Sequence, residues 1–211
     1  MSKSLFKTTI KLALEDTYLT LNIESNGLYK DRSSKFFYYA FPVSDEEQIK
    51  DRLKELRKKH FDARHHCFAW YLGTNEQNYR ANDDGEPNHS AGDPILGQIR
   101  SNNLTNCLIV VVRYFGGTKL GMSGLIQAYK TSAALAVTEN EIVEKLITSQ
   151  ISISFNYPSL NEVMKLIKHK ELKIINQEME LTCKMILEVR NSIELEIRTN
   201  LGEIESVEIK L

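Results

Sequence analysis

The sequence has few cysteines and prolines and no long apolar run. Its 211 residues include four prolines and three cysteines, Cys67, Cys107 and Cys183, which lie far apart and form no C-x-x-C pair. An odd number of widely spaced cysteines argues against a disulfide framework or a structural zinc site, and it fits a reducing compartment. Because no run of about 18 apolar residues occurs, the sequence predicts no transmembrane helix.

The chain also lacks a strong net charge. Its 27 lysines and arginines nearly balance its 28 aspartates and glutamates, which gives a formal net charge of -1. Residues 1–140 carry 18 positive against 16 negative side chains, and residues 141–211 carry 9 against 12. Neither part is the basic block typical of nucleic-acid-binding proteins, so any such contact requires a local patch. The first residues hold no continuous apolar core before a cleavage site, so we expect a cytoplasmic protein.

What is present is the composition of a packed globular protein, with 42% hydrophobic and 26% charged residues. In the first part of the chain, a helix is expected to begin with Ser44 as its cap, to which Glu47 reaches back, and to end near His60. A long polar loop without structure of its own is expected from Gly73 to about Asp93. The other predicted elements are strands at 35–43, 66–72 and 107–112 and helices at 94–102 and 125–140.

A second unit is predicted after a boundary at residues 141–148. This unit is predicted to contain four strands, at 150–156, 173–178, 181–189 and 203–211. One helix follows Pro158, and a second helix carries Ile193, Ile197 and Leu201. The order β-α-β-β-α-β is typical of a ferredoxin-like domain. The sequence therefore predicts an α+β protein of two domains.

A glycine-rich turn follows the most apolar predicted strand. Gly116, Gly117 and Gly121 lie there with Lys119, and Arg113 precedes them. Glycines let backbone amides approach a ligand, and a helix N-terminus beside cations favours an anion. Phosphate binding is therefore one hypothesis, although the spacing is not that of a Walker A loop. The other is a tight strand-to-helix turn in which the arginine pairs with an acidic neighbour.

Three carboxylates in the long loop form a second candidate site. Asp83, Asp84 and Glu86 would suit a hard cation such as magnesium or calcium. Their spacing does not match an EF-hand, and they would equally neutralise Arg80 or Arg113 or cap a turn. The sequence leaves these interpretations open and identifies no definite metal ligand.

The run Arg64-His65-His66-Cys67 is a third candidate. On a strand, His65 and Cys67 face one side and His66 the other, so only one pair would meet a metal. A thiolate nucleophile would need a base and an orienting group. A cysteine that opens an apolar strand is more typical of a small buried residue, and we expect that here.

These segments together resemble the YigZ/IMPACT family. They occur in the family's order and cover about residues 25–140. They are Ser34-Lys35-Phe36 with Ala40–Val43, Ala63–Cys67, Asp83–Pro87, Ala91–Leu96, and Val111–Gly121 with Gly124-Leu125 and Ala128-Tyr129. Met122-Ser123 departs from the family, in which small residues are commoner at that place.

The resemblance implies a fold for each domain. Residues 21–140 would adopt the left-handed βαβ fold shared with a ribosomal protein domain and the fourth domain of elongation factor G. Residues 149–211 would form a ferredoxin-like domain similar to that factor's fifth domain, and residues 1–20 would be an N-terminal extension. The resemblance implies no cofactor and no established catalytic residues.

The resemblance also implies a role in translation. Eukaryotic relatives regulate translation by binding the activator of a kinase that acts on an initiation factor, whereas RNA or ribosome binding is suggested for bacterial members. We therefore expect a translation-associated binding protein rather than an enzyme. The alternatives are a protein-interaction regulator of translation initiation or stress response, and an enzyme acting on a phosphorylated small molecule. The expected anion-binding residues are Arg64, His65, Arg80, Arg100, Arg113, Gly116, Gly117, Lys119 and Gly121.

Overall fold

The computed structural model describes residues 16–74 and 78–210, and the chain divides into two units. Tyr18–Lys145 form the first, called the N-terminal unit below, and the chain from Leu146 onward belongs to the second, the C-terminal unit. Both contain helices and antiparallel sheets, which confirms the α+β class. The domain limits at residues 20, 140 and 149 stay predictions, and positions 1–15 of the expected extension lie outside the described residues.

The N-terminal unit is a five-stranded antiparallel sheet with helices on both faces. The strand order is β2-β3-β6-β4-β5, and β1 and β7 form a separate two-stranded sheet. The elements are β1 (Thr17–Leu21), β2 (Ser25–Asp31), β3 (Ser34–Pro42), α1 (Glu46–Lys59), β4 (His65–Tyr71), β5 (Tyr79–Asn82), α2 (Gly92–Ser101), β6 (Cys107–Tyr114), α3 (Gly121–Thr138) and β7 (Ile142–Leu146).

The central strand β6 is apolar at almost every position because both of its faces are covered. Val111 belongs to the same apolar cluster as Tyr129 of α3, whereas its neighbour Val110 belongs to the cluster that contains Ile49 of α1. Alternate side chains of a strand point to opposite faces, so the odd-numbered row faces α3. Arg113 continues that row at the end of the strand, and its side chain therefore emerges beside the start of α3.

Three local predictions about this unit are wrong. Helix α1 is capped by Asp45 instead of Ser44, because the Asp45 Oδ1 accepts the Gln48 amide at 2.9 Å. The long loop contains the edge strand β5, whose four residues are too few to indicate its pairing with β4. Helix α3 begins at Gly121, four residues before the predicted Leu125, since glycine does not prevent the first helical turn from forming.

The C-terminal unit confirms the predicted β-α-β-β-α-β order. Its four-stranded antiparallel sheet has the order β11-β8-β10-β9, so the first strand of the unit lies between the third and the last. Ile153 and Met185 on two of these strands share one buried cluster with Val163 and Ile197 of the helices. The elements are β8 (Thr148–Asn156), α4 (Leu160–His169), β9 (Lys173–Glu178), β10 (Thr182–Arg190), α5 (Glu194–Gly202) and β11 (Glu208–Lys210).

In the part of the chain that the structure describes, no helix has the length and apolar character needed to cross a membrane.

Candidate functional site

A pocket of about 650 Å³ opens where β6 leads into α3. Three elements surround it: the segment that enters β4, the acidic loop after β5, and the turn between β6 and α3. Its polar lining includes Arg64, His65, Glu86, Arg113 and Lys119. Its apolar lining includes Phe115, Leu120, Met122 and Leu125. The pocket therefore combines cations with an apolar wall, as sites for small charged organic groups commonly do.

The floor of the pocket is a buried ion pair. Arg113 Nη1 donates to Glu86 Oε1 at 2.7 Å, and the two side chains are only 7% and 4% exposed. The Tyr129 hydroxyl donates to the same carboxylate oxygen at 2.9 Å. This geometry confirms the interpretation that Arg113 pairs with an acidic neighbour. The Nε of Arg113 is buried and has no hydrogen-bond partner among the residues described.

Cys67 lies behind this pair and is a buried structural residue, as expected. Its thiol lies 3.0 Å from the Asp83 carbonyl oxygen and 3.3 Å from the Tyr129 hydroxyl, so it has two acceptors within reach. Burial raises the pKa of the thiol well above its ordinary value, and the nearby carboxylates of Glu86 and Asp84 add to that increase. The thiol therefore stays protonated near neutral pH, and it is not an activated nucleophile.

The acidic loop is held by internal contacts. Asp83 Oδ1 accepts the amides of Ala91 and Gly92 at 2.9 and 2.8 Å, at the start of α2. Asp84 accepts the His66 amide at 2.7 Å and pairs with Arg57 at 2.9 Å. Within residues 16–74 and 78–210, no group of three or more histidine, cysteine or carboxylate side chains has the arrangement of a metal site. Hydrogen bonds to backbone amides and an ion pair therefore account for the positions of the Asp83 and Asp84 carboxylates.

Asp83→Asn is expected to lower the free energy of unfolding of the N-terminal unit by about 1–3 kcal/mol at pH 7, because three amides lose a charged acceptor. Burial raises the pKa of Asp83, but hydrogen bonds from Gly92, His89 and Ala91 outweigh that effect and leave it lowered. A lowered folded-state pKa contributes stability above the ordinary aspartate pKa of about 3.9, and this contribution is lost as the pH falls through the folded value.

The measurement is urea unfolding followed by fluorescence of Trp70, the single tryptophan of the sequence, which lies in β4. The difference between wild type and Asp83→Asn should narrow as the pH falls below about 4. The exposed Asp51 of α1, changed to Asn, is the control and should alter stability little. If the difference in stability between wild type and Asp83→Asn stayed the same below pH 4, the role assigned to the Asp83 charge would be contradicted.

The turn between β6 and α3 uses the expected anion-binding amide of Gly116 within the protein, but it leaves Lys119 and the start of α3 free. The Gly116 amide donates to Ser34 Oγ at 3.2 Å, and Gly117 has a φ of +88°, which only glycine adopts readily. Helix α3 has no side-chain cap at its N-terminus, so the first-turn amides remain available. Lys119 is exposed and has no ion-pair partner in the described part of the chain. Of the two cations predicted at this turn, Arg113 is neutralised by Glu86, whereas Lys119 is free.

The structure brings together only some of the expected anion-binding residues. Arg64, His65, Arg113, Lys119 and Gly121 line the pocket, and Gly116 and Gly117 form the turn beside it. Arg80 pairs with Trp70, five residues along β4 from His65 and therefore about 17 Å away at ~3.3 Å per residue. The Arg100 guanidinium stacks on the Tyr79 ring at 4.2 Å instead of facing the pocket.

Phe115 and Met122 line this site but were not among the residues expected to bind an anion. They are 56% and 51% exposed, which is unusual for large apolar side chains, and both line the pocket. The Phe115 ring centroid is 5.6 Å from the guanidinium carbon of Arg113. Strand β6 ends at Tyr114, so the alternation of its side chains between the two faces of the sheet does not predict the direction of the Phe115 ring.

A family model described as the Impact N-terminal domain matches residues 32–137. IMPACT family member YvyE of Bacillus subtilis (strain 168) is 35% identical over 130 residues, which are 62% of this chain and 60% of that protein. IMPACT family member YigZ of Escherichia coli (strain K12) is 32% identical over 149 residues, 70% of this chain and 73% of that protein.

A solved structure, described as a crystal structure of a hypothetical protein, is also similar. It is 26% identical, with a TM-score of 0.71, and the match covers 92% of this chain and 96% of the other. The similarity therefore extends beyond the family-matched residues to the C-terminal part of the chain. Its agreement with the fold described above supports the same α+β architecture.

Proposed function

The chain belongs to the IMPACT family, and from that premise we propose that it is a translation-associated binding protein that contacts RNA or the ribosome through the pocket of its N-terminal unit. Family membership supports the role in translation, because the resemblance seen in the sequence carries that expectation. The contact with RNA is supported by the pocket itself.

The observation that carries the proposal is the free positive charge beside an uncapped helix. Lys119 and the start of α3 lie at one side of the pocket, and among the described residues Lys119 forms no ion pair and no side chain caps the helix. A helix N-terminus with a nearby lysine is a favourable place for a phosphate oxygen. Phe115 at the rim offers an exposed ring on which a base would stack.

Lys119→Ala is expected to weaken association with ribosomes or RNA for all sequences alike. Because one phosphate contact is lost, the slope of log affinity against log salt concentration should fall in magnitude by about 1. The measurement is co-sedimentation with ribosomes at low and at high salt, together with RNA binding by fluorescence anisotropy.

Lys130→Ala is the matched control, because Lys130 is an exposed lysine of the same helix that does not line the pocket. It should change neither the affinity nor the salt slope. Binding that does not depend on salt, or equal losses in the two variants, would refute the role of the pocket.

A second candidate function is a protein-interaction regulator of translation. Phe115, Met122 and Ile126 are exposed apolar residues at and beyond the start of α3, and the last two are one helical turn apart. Apolar groups of this kind are commoner at protein-interaction sites than at an ordinary surface. If this candidate is right, partners captured with the protein should persist after nuclease treatment and should be lost in Met122→Ser. Partners that depend on RNA would favour the first proposal.

A further inference from the structure

The depth of the pocket limits the part of a nucleic acid that could enter it. Arg113 and Glu86 form the floor and are 6% and 8% exposed as whole residues. An internal phosphodiester is attached to the chain on both sides, so it stays at the surface of the strand or duplex. A group at the end of a chain has only one attachment and can reach a floor of this kind.

The guanidinium of Arg113 keeps one unsatisfied donor at the floor of the pocket. Its Nη1 is occupied by Glu86, whereas Nε is buried without a partner in the part of the chain described. The guanidinium carbon lies 5.6 Å from the ring centroids of both Phe36 and Phe115. The ion pair and the two rings fix its orientation. A guanidinium held in this way binds oxyanions in a fixed plane, which a lysine does not.

The charged side chains around the pocket leave it with a net positive charge. Arg113 is balanced by Glu86, so the remaining cations of the lining are Lys119 and Arg64, both exposed. The carboxylate of Asp62, also in the lining, accepts a hydrogen bond from the Tyr114 hydroxyl at 2.8 Å and offsets one of these two cations, which leaves a net charge of +1. A phosphate monoester carries between one and two negative charges near neutral pH, whereas an internal diester carries one, so a positively charged pocket attracts the monoester more strongly.

The size and apolar wall of the pocket indicate that the phosphate is attached to a flat organic group. A volume of about 650 Å³ is larger than a phosphate needs, and it lies in the range of pockets for small organic ligands. Phe115 and Met122 provide exposed apolar surface at the rim, and an aromatic ring there stacks on any base. These features fit a nucleoside attached to the phosphate.

We infer that the pocket binds a terminal nucleoside 5′-monophosphate, with its phosphate between the Arg113 guanidinium, Lys119 and the first turn of α3 and its base against Phe115. This inference rests on the proposed function and names the ligand of the same site. The same chemistry is presented by the 5′-phosphorylated end of single-stranded RNA and by a free nucleotide, and the experiment separates the two sources.

The test compares two short single-stranded RNAs of one sequence, labelled at the 3′ end, with either a 5′-phosphate or a 5′-hydroxyl. Full-length protein should bind the phosphorylated RNA about tenfold more tightly, the effect of a pair of charge-assisted hydrogen bonds. Lys119→Ala and Phe115→Ser should abolish or reduce this preference, and Lys130→Ala should retain it. All three positions are exposed, so the variants should fold, which Trp70 fluorescence verifies.

Competition with nucleoside 5′-monophosphates and with inorganic phosphate identifies the source of the ligand. Displacement of the RNA by nucleotides but not by inorganic phosphate supports the inference. If the protein binds nucleotides but neither of the two RNAs, the inference about the pocket is supported and the RNA-binding proposal is refuted. Equal affinity for the two RNAs overturns the inference while the proposed function stands. Inorganic phosphate that competes as well as a nucleotide overturns the part of the inference that concerns the nucleoside.

Discussion

Glu86→Ala is expected to lower the free energy of unfolding of the N-terminal unit by about 3–5 kcal/mol. The substitution leaves the Arg113 charge buried without its partner, and the Tyr129 hydroxyl loses its acceptor at the same time. Removal of one member of a buried ion pair is costly because desolvation of the remaining charge is no longer offset. Urea unfolding followed by Trp70 fluorescence measures this unit by itself, since the tryptophan lies in β4.

The matched control is Glu24→Ala, which breaks an exposed pair with Arg52 in the same unit. Exposed pairs contribute at most about 1 kcal/mol, so this variant should remain close to wild type. A second variant, Glu86→Leu combined with Arg113→Met, removes both charges and should recover much of the stability lost in Glu86→Ala. A loss no larger than that of Glu24→Ala would show that the buried pair does not hold this part of the fold together.

The architecture was predictable where one physical pattern dominates a segment. Cys107–Tyr114 is apolar at nearly every position, and this run already indicated a strand covered on both faces. In the C-terminal unit, Ile151, Ile153 and Phe155 alternate along β8 and lie in its core. Strand β5 was not predictable in the same way, because Tyr79–Asn82 has only four residues and is recognisable as a strand only through its pairing with β4.

The site was predictable as a set of candidates but not as a geometry. The sequence named Arg113 and Glu86, and it left open whether they hold a ligand or each other. Their contact joins residues 27 positions apart, one in the loop after β5 and the other near the end of β6, so the tertiary fold decides it and the sequence spacing does not. In the same way, Arg80 carries the right charge but lies on the far part of an edge strand. Charge and spacing identify candidate residues, whereas register determines which of them meet.

Gly116→Ala is expected to destabilise the N-terminal unit by about 3 kcal/mol, at the upper end of the cost of overpacking. A methyl group at Gly116 would fall on the backbone carbonyl of Ser33 and on the amide nitrogen of Ser34. Backbone atoms cannot rotate away as the end of a flexible side chain would. The connection between β2 and β3 would therefore have to separate from the turn that leads to α3.

The control for this substitution is Gly97→Ala in the exposed part of α2. A methyl there meets no atom within 4 Å, so the change should stabilise the helix by about 0.5–1 kcal/mol, because glycine loses more backbone entropy on folding than alanine. Because the two glycine substitutions should change the free energy of unfolding in opposite directions, they distinguish the effect of close packing from that of backbone entropy. If Gly116→Ala unfolded at the same urea midpoint as wild type, the turn would not be packed against Ser33 as described. The fixed shape assigned to the pocket beside it would then be wrong.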